Sequence, residues 1–382
     1  VHALLPGHCL IWEKGKVNIR QYWDVPVVDR GDLMSEGYNV QEIRCELRRL
    51  LEESIRMRMI ADVPVGAFLS GGVDSSAVVA LMTRLSGERL QTFSIGFRAE
   101  GKRIDERRFA RIVARHCDTK HNEVVISGSD VASLMPAFVR AMDQPTGDGL
   151  NTFLVSRATA QHVKVALSGL GGDELFAGYR QFRYLRYGEH AGRLWHLLPE
   201  PGKIAARIVA RQLANVSGRS SLAEVPSWLE SGFIARYLRT RTLFSEAGKD
   251  ELYHKDLVIS QNAVDPSIDV LRQYVVETEC DPIVRTTRME LKSYLSHMLL
   301  RDTDAMSMAH SLEVRVPLID HKLVEFAARI PSALKLGNSP ISNLQGRTKL
   351  VLADVVADLL PAEIIRRRKQ GFHMPIGSWL RA

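Results

Sequence analysis

The chain has 382 residues, with 51 Lys and Arg against 44 Asp and Glu, a formal charge of +7, and 45% of it is hydrophobic. This is the balance of a globular protein of roughly two to three domains that can bury a core without disulfides or a structural metal, and it excludes disordered, collagen-like and mini-protein classes. No apolar run approaches the ~18 residues of a membrane-spanning helix, and no basic segment followed by an apolar one opens the sequence, so a cytoplasmic protein is expected.

The sequence starts at Val1, and residues 1–23 alternate apolar and polar types around turn signals, which predicts two or three small strands with no domain of their own. A fragment whose upstream domain is missing is the expectation. Cys9, Cys45, Cys117 and Cys280 show no Cys-x-x-Cys spacing, so neither a zinc site nor a disulfide framework is indicated and buried structural thiols are expected. From 40 to 60, Val40, Ile43, Leu47, Leu50, Leu51, Ile55 and Met59 recur at helical spacing among charges, predicting an amphipathic helix. A short apolar strand at 63–69 follows, then a glycine turn and an apolar helix around 77–82. The alternation continues with strands at 90–97, 122–126 and 163–167 and helices at 105–116 and 130–142. Strands alternating with helices predict βαβ units and an α/β fold, a doubly wound parallel sheet covered on both faces. Residues 180–281 carry Arg, Leu and Trp at helical spacing, and helices and loops resume from 282 to 382. The positive excess fits an anionic partner or, more simply, a solvated surface.

Two glycine-rich strings sit where predicted strands give way to helices. In the first, Ser70, Gly71, Gly72, Val73, Asp74, Ser75 and Ser76, two glycines let the backbone approach a phosphate, while hydroxyls and a helix N-terminus supply donors. It lacks the lysine of a Walker A loop, which argues against a phosphoryl-transfer ATPase. A glycine turn capped by Ser and Asp, favoured helix N-caps, is the plainer alternative. The string resembles the pyrophosphate-binding loop of the ATP pyrophosphatase enzymes, which cleave ATP between the α and β phosphates to adenylate a carboxylate or a base. The resemblance implies that the loop's serines and backbone hold pyrophosphate and that Asp74 helps hold Mg²⁺, an ion that takes oxygen ligands.

The second string, residues 167–179, reads LSGLGGDELFAGY and looks like the corresponding loop of asparagine synthetases and their β-lactam-forming relatives. An acidic, glycine-rich strand-to-helix turn is its plain alternative. If the sheet has the common 3-2-1-4-5 order, the two loops lie side by side at the topological switch point and face one nucleotide. Two further segments extend the resemblance. Residues 300–321 (LRDTDAMSMA, then LEVRVPLIDH) are similar to the family's R-D…M and E-x-R-x-P-x-x-D pattern, and residues 366–372 (RRRKQGF) to its RxKxGF signature. Taken singly, Arg-Lys runs are solvated faces and Glu313 with Arg315 is a structural ion pair. The motifs nevertheless occur in family order from Leu69 to Phe372.

This resemblance implies the synthetase domain of a glutamine-dependent asparagine synthetase over 37–382. The fold would be adenine nucleotide alpha hydrolase-like, with a mainly helical elaboration at about 180–281, and 1–36 would be a remnant of the glutaminase domain and linker. That domain's nucleophile is an N-terminal cysteine, and Cys9 is internal. ATP and aspartate would give β-aspartyl-AMP and pyrophosphate, and ammonia from glutamine would then displace AMP. Leu69 and Ile95 would hold adenosine through backbone contacts. Residues Ser70, Gly71, Gly72, Asp74, Ser75 and Ser76 would hold the phosphates, with Ser168 and Gly169 on the α-phosphate side. Asp74 and Asp173 would be magnesium ligands, Lys369 would neutralise developing charge, and Thr152, Leu170, Asp304, Glu313 and Arg315 would line the acceptor. Many asparagine synthetases carry an acid at the position of Leu170, where leucine can neither accept a proton nor bind a cation. Glu174 or Asp173 takes that role, or ammonia needs no protein base, or the acceptor is not aspartate. Rival classes are an amidotransferase or cyclising ligase acting on another carboxylate, a tRNA-modifying ATP pyrophosphatase, and a non-catalytic nucleotide-binding module. The expected partners are a small carboxylate and ammonia delivered by a glutaminase domain, without nucleic acid or membrane, and a homodimer is compatible with the resemblance.

Overall fold

The computed structural model describes residues 3–28, 39–98, 107–244, 252, 266–275, 281–337, 348–367, 371, 374–379 and 381. They pack as two compact units, one formed by Val1–Gly178 with Glu290–Ala382 and the other by Tyr179–Met289.

The first unit opens with a two-stranded antiparallel hairpin, β1 (His8–Glu13) and β2 (Lys16–Gln21). Its two-residue turn, Lys14 and Gly15, has positive φ at both positions, the geometry whose twist matches the paired strands. The segment after it is tied down by Trp23, whose indole donates to Glu325 (2.8 Å), and by Asp24, paired with Lys292 (2.7 Å).

Helix α1 (Val40–Met59) starts at Asn39, whose side chain accepts from the Gln41 N–H, and buries Ile43, Leu47, Leu50, Leu51 and Ile55 along one stripe. Beyond it lies a five-stranded sheet of β3 (Val65–Phe68), β4 (Gln91–Phe97), β5 (Lys120–Ile126), β6 (Val165–Leu167) and β7 (Glu313–Arg315). The strand order is β5-β4-β3-β6-β7 and every pairing is parallel. Helices α2 (Val73–Leu85), α3 (Arg107–His116), α4 (Gly128–Ala141) and α5 (Gly149–Thr159) make the connections as far as β6.

Both faces of the sheet are covered, and the strands' alternation shows which helices cover which. Ala67 and Leu167 point into the main core with residues of α1, α2 and α3, whereas Phe68 and Ala166 join Phe93 on the opposite side. Farther along β4, Ile95 and Phe97 pack with Val131 and Phe138 of α4 and Phe153 of α5. The α/β, doubly wound parallel fold is therefore present, with β3 and β6 adjacent at the point where the chain reverses its direction of travel across the sheet.

Three sequence expectations need amending. Helix α5 lies where no helix was expected, because its apolar residues are interleaved with Asn151, Thr152, Ser156 and Arg157 around the helix and leave no clear 3.6-residue stripe. Strand β7 comes from three residues of a segment read only as a motif, and its pairing with β6 makes it a strand. Among the described cysteines Cys117 is buried, but Cys45 is exposed and Cys9 intermediate, so buried thiols hold for one of these three.

The second unit is helical. Helices Arg180–Leu197, Glu200–Ser217, Val225–Glu230, Phe233–Arg241 and Pro266–Arg272 surround a small core of Leu185, Phe233, Tyr237, Leu271, Tyr274 and Met289. No described helix in either unit is long and apolar enough to cross a membrane.

Candidate functional site

The carboxyl ends of β3 and β6 carry the two glycine strings. Leu69 is buried, and its N–H donates to the Phe93 carbonyl (2.8 Å), extending the ladder one residue past β3. Ser70 then emerges at the surface. Its N–H donates to the Ser75 hydroxyl (3.2 Å), the two hydroxyls lie 3.0 Å apart, and Gly72 N–H donates to the Ser70 hydroxyl (3.3 Å). Gly71 has φ of +73°, and a methyl there would fall 2.5 Å from the Ala110 nitrogen of α3. Only glycine fits that turn. Gly72 begins α2 and no side chain caps the helix, so first-turn N–H groups and the positive end of the dipole face the loop. Ser76, by contrast, is fully buried in α2.

The second string packs directly on the first. A methyl on Gly169 would lie 2.5 Å from the Ser75 nitrogen and 2.8 Å from the Asp74 carbonyl carbon. One on Gly172 would meet the Asp74 carboxylate at 2.5 Å. The loops thus touch backbone to backbone at Gly169, and at Gly172 the second loop's backbone meets the Asp74 side chain. Ser168 is anchored through its N–H to the Arg315 carbonyl (2.9 Å), and its hydroxyl accepts from Leu170 N–H (3.3 Å). Leu170 is partly buried and packs against the main core.

At the centre of this contact lies a residue absent from the motif reading. Lys349 donates to the Asp74 carboxylate and pairs with Asp173 at 2.7 Å, while being almost fully buried itself. Burial pulls its ammonium down, but the carboxylates of Asp173 and Asp74 pull it up by more, and the balance holds it above its ordinary value. Lys349 also has a left-handed backbone, φ 59° and ψ 38°, where non-glycine residues are uncommon. In sequence it is one lysine at the head of an amphipathic stretch. Arg367 also reaches the loop: its guanidinium donates to the Gly71 carbonyl (2.9 Å) and lies 4.1 Å over the Phe109 ring. The run 366–369 pointed to this region through Lys369, which lies outside the described residues.

The other expected residues are placed as follows. Ile95 is buried in β4, one strand from β3, and Thr152 is half-buried in the first turn of α5. Asp173 is half-buried in the short turn of helix Gly172–Leu175, and Glu174 beside it is buried. Asp304 is exposed on the helix Arg301–Met308. Glu313 and Arg315 pair with each other (2.7 Å), and the Arg315 guanidinium donates to the carbonyls of Arg58 (2.9 Å) and Ile60 (2.6 Å). Those bonds cap the end of α1, so the Arg315 side chain is not brought to Lys349, although its backbone supports Ser168.

Two neighbouring carboxylates on one buried cation, beside an uncapped helix N-terminus and a loop of donors, form a site that can hold a polyphosphate and a divalent metal. The family model for asparagine synthase matches residues 46–382. A putative glutamine-hydrolysing asparagine synthetase from Mycobacterium tuberculosis is 34% identical over 343 residues, 88% of this chain and 49% of that protein. Glutamine-hydrolysing asparagine synthetase 1 of Bacillus subtilis is 31% identical, covering 88% of this chain and 50% of its own length. Amidase chyE of Penicillium rubens is 27% identical over 99% of this chain and 59% of its own length. The chain therefore spans about half the length of the curated relatives it matches. From Glu46 to its last residue, this chain belongs to the asparagine synthase family.

Proposed function

We propose that the chain catalyses ATP-dependent amide synthesis, with the side-chain carboxylate of aspartate as acceptor and asparagine as product. What carries the proposal is the backbone contact between the two glycine loops, with Asp74 and Asp173 drawn to the same Lys349. A carboxylate resists ammonia because its carbonyl carbon is electron-rich and its leaving group would be oxide. In the first step the acceptor oxygen attacks the α-phosphorus of ATP, the bond to the bridging oxygen breaks, and pyrophosphate leaves. In the second, ammonia attacks the acyl carbon, the acyl–oxygen bond breaks, AMP leaves and a proton is lost from nitrogen.

Ser70, Ser75 and the N-terminus of α2 bind the departing pyrophosphate, where donors are already oriented and need no reorganisation. Lys349 fixes both carboxylates, and Arg367 clamps the Gly71 carbonyl so that the loop keeps its turn. The Asp74 and Asp173 oxygens are the hard donors that fit Mg²⁺, which when bound would offset phosphate charge. To Ser168 and Gly169 we assign the α-phosphate side, to the backbone of Leu69 and Ile95 the adenosine, and to Lys369 the neutralising of charge that develops on the adenylate. We assign the ammonia to glutamine, hydrolysed by a glutaminase domain, in line with the names of the bacterial relatives. A cytoplasmic setting suits these substrates.

Leu170 favours a second acceptor class. An apolar side chain packed on the core offers no base to the incoming nitrogen, leaving Glu174 and Asp173 as the carboxylates of that turn. Amidase-named relatives are compatible with another carboxylic acid. Supplying the chain with ATP, Mg²⁺, ammonia and a panel of carboxylates, and following pyrophosphate and AMP, separates the readings. Aspartate-dependent release of both supports asparagine synthesis; release only with a different acid replaces it with the second reading. No release with any acid removes the ligase assignment. Asp74→Asn is expected to abolish pyrophosphate formation while the circular dichroism spectrum stays unchanged.

A further inference from the structure

The helix Glu200–Ser217 in the second unit is amphipathic in the inverted sense. Its inner side carries Ala206, Ala210 and Ala214, of which Ala214 alone is buried. Its large aliphatic side chains face outward: Ile204, Ile208, Val209 and Leu213 are each more than half exposed, and Val216 is 89% exposed. At 100° per residue these five span about half the helix circumference, over a length of about 18 Å. The preceding helix ends on Leu197, which is 80% exposed. Helices of globular units ordinarily turn such a stripe inward, and contiguous exposed apolar surface marks an interaction site.

The charge beside it is mostly positive. Residues 180–241 hold eleven Lys and Arg against four Glu, an excess of seven that equals the net charge of the entire chain. The next stretch, 242–289, is acidic, with nine Asp and Glu against five Lys and Arg, so within the second unit the positive charge is concentrated in residues 180–241. Arg207 and Arg211 run along one border of the aliphatic stripe by helical spacing, and Arg219 follows the helix's Gly218 cap. Arg207 also pairs with the exposed Glu230 (2.9 Å) and Lys203 with the exposed Glu200 (2.8 Å), and the exposures of the aliphatic stripe hold among the described residues.

We propose that this helix docks, stripe inward, on an anionic lipid surface. A nucleic acid would use the arginines but gain nothing from the aliphatic residues, because phosphate contacts need only donors and charge. A second copy would place one basic face against another, since a two-fold contact meets itself. Anionic headgroups over acyl chains satisfy both features at once, with the aliphatic stripe at the acyl boundary and the arginines among the phosphates. Such attachment is peripheral and needs no crossing helix, and it differs from the sequence expectation of no membrane partner.

The test is flotation of the full chain with vesicles of phosphatidylcholine alone or mixed with phosphatidylglycerol. Retention is expected only on the mixed vesicles and should fall as salt rises. Ile208→Asp and Leu213→Asp are each expected to lower it at least about tenfold, and Arg211→Gln about fivefold, with unchanged circular dichroism and pyrophosphate release. Equal retention on neutral vesicles, or none on either, overturns the proposal. So does RNA binding that survives both aspartate substitutions, or a concentration-dependent dimer lost in Ile208→Asp without vesicle retention.

Discussion

Replacing Lys349 by methionine would leave Asp74 and Asp173 facing one another in a buried site with their shared cation gone. Removing one partner of a buried charge cluster typically costs roughly 3–5 kcal/mol, so Lys349→Met should lower the midpoint of denaturant unfolding clearly and stop pyrophosphate release. Lys349→Arg keeps the charge but needs more volume, and is expected to retain more stability than activity. Cys117 offers a separate check on burial: its thiol is pushed up to about 11 by desolvation alone. The thiol's contribution to stability is thus fully present below the ordinary value of 9.0 and is lost as pH rises through about 11. At pH 8 iodoacetamide should alkylate the exposed Cys45 and spare Cys117 until the chain unfolds; equal labelling of both in the native state would contradict this placement. The residues carrying the glycine loops could be read in advance because glycine, serine and aspartate perform a recognisable task at a strand-to-helix turn. Lys349 could not, since a single lysine before an amphipathic helix has no local mark, and its partners lie far away in sequence.

At the scale of elements, β3 and β6 were legible because apolar runs bounded by glycine turns are what a buried parallel strand requires. Strand β7 was not, because its Glu-Val-Arg holds one apolar residue and takes its extended form from pairing with β6. Helix α4 carries a reciprocal cap in which Ser127 and Asp130 satisfy each other's backbone N–H groups. Ser127→Ala is expected to cost about 1 kcal/mol, measured by thermal or denaturant unfolding, with activity retained. The opposite pattern belongs to the loops. In Gly169→Ala the added methyl meets backbone rather than a flexible side chain, so the two loops must part. Pyrophosphate release should drop by at least about tenfold, the equivalent of roughly 1.4 kcal/mol in the transition state.

Across the whole molecule, the main core draws on residues from Val25 to Ile364, although the chain leaves this unit at Tyr179 and returns at Glu290. Leu318, Leu323, Val351 and Leu352 from the returning segment lie in one cluster with Leu47 and Leu51 of α1. A chain ending at Gly178 therefore keeps four of the five strands of the sheet yet exposes their apolar cover, and it should be insoluble or molten by near-ultraviolet circular dichroism. A soluble, cooperatively unfolding fragment would show that the return segment is dispensable.

The meeting of the two loops has a consequence for how acceptor preference can change over evolutionary time. Their register is set by main-chain atoms at Gly169 and Ser75, with no side chain interposed. Position 170 lies one residue beyond that contact, its N–H held by the Ser168 hydroxyl whatever side chain it carries. Under the proposed function, replacements there would alter what approaches the activated acyl group while the neighbouring backbone contact keeps its geometry. On that reading the scaffold for activation and the selector of what is activated would be inherited separately, and a lineage could acquire a new acceptor without first losing its hold on the nucleotide.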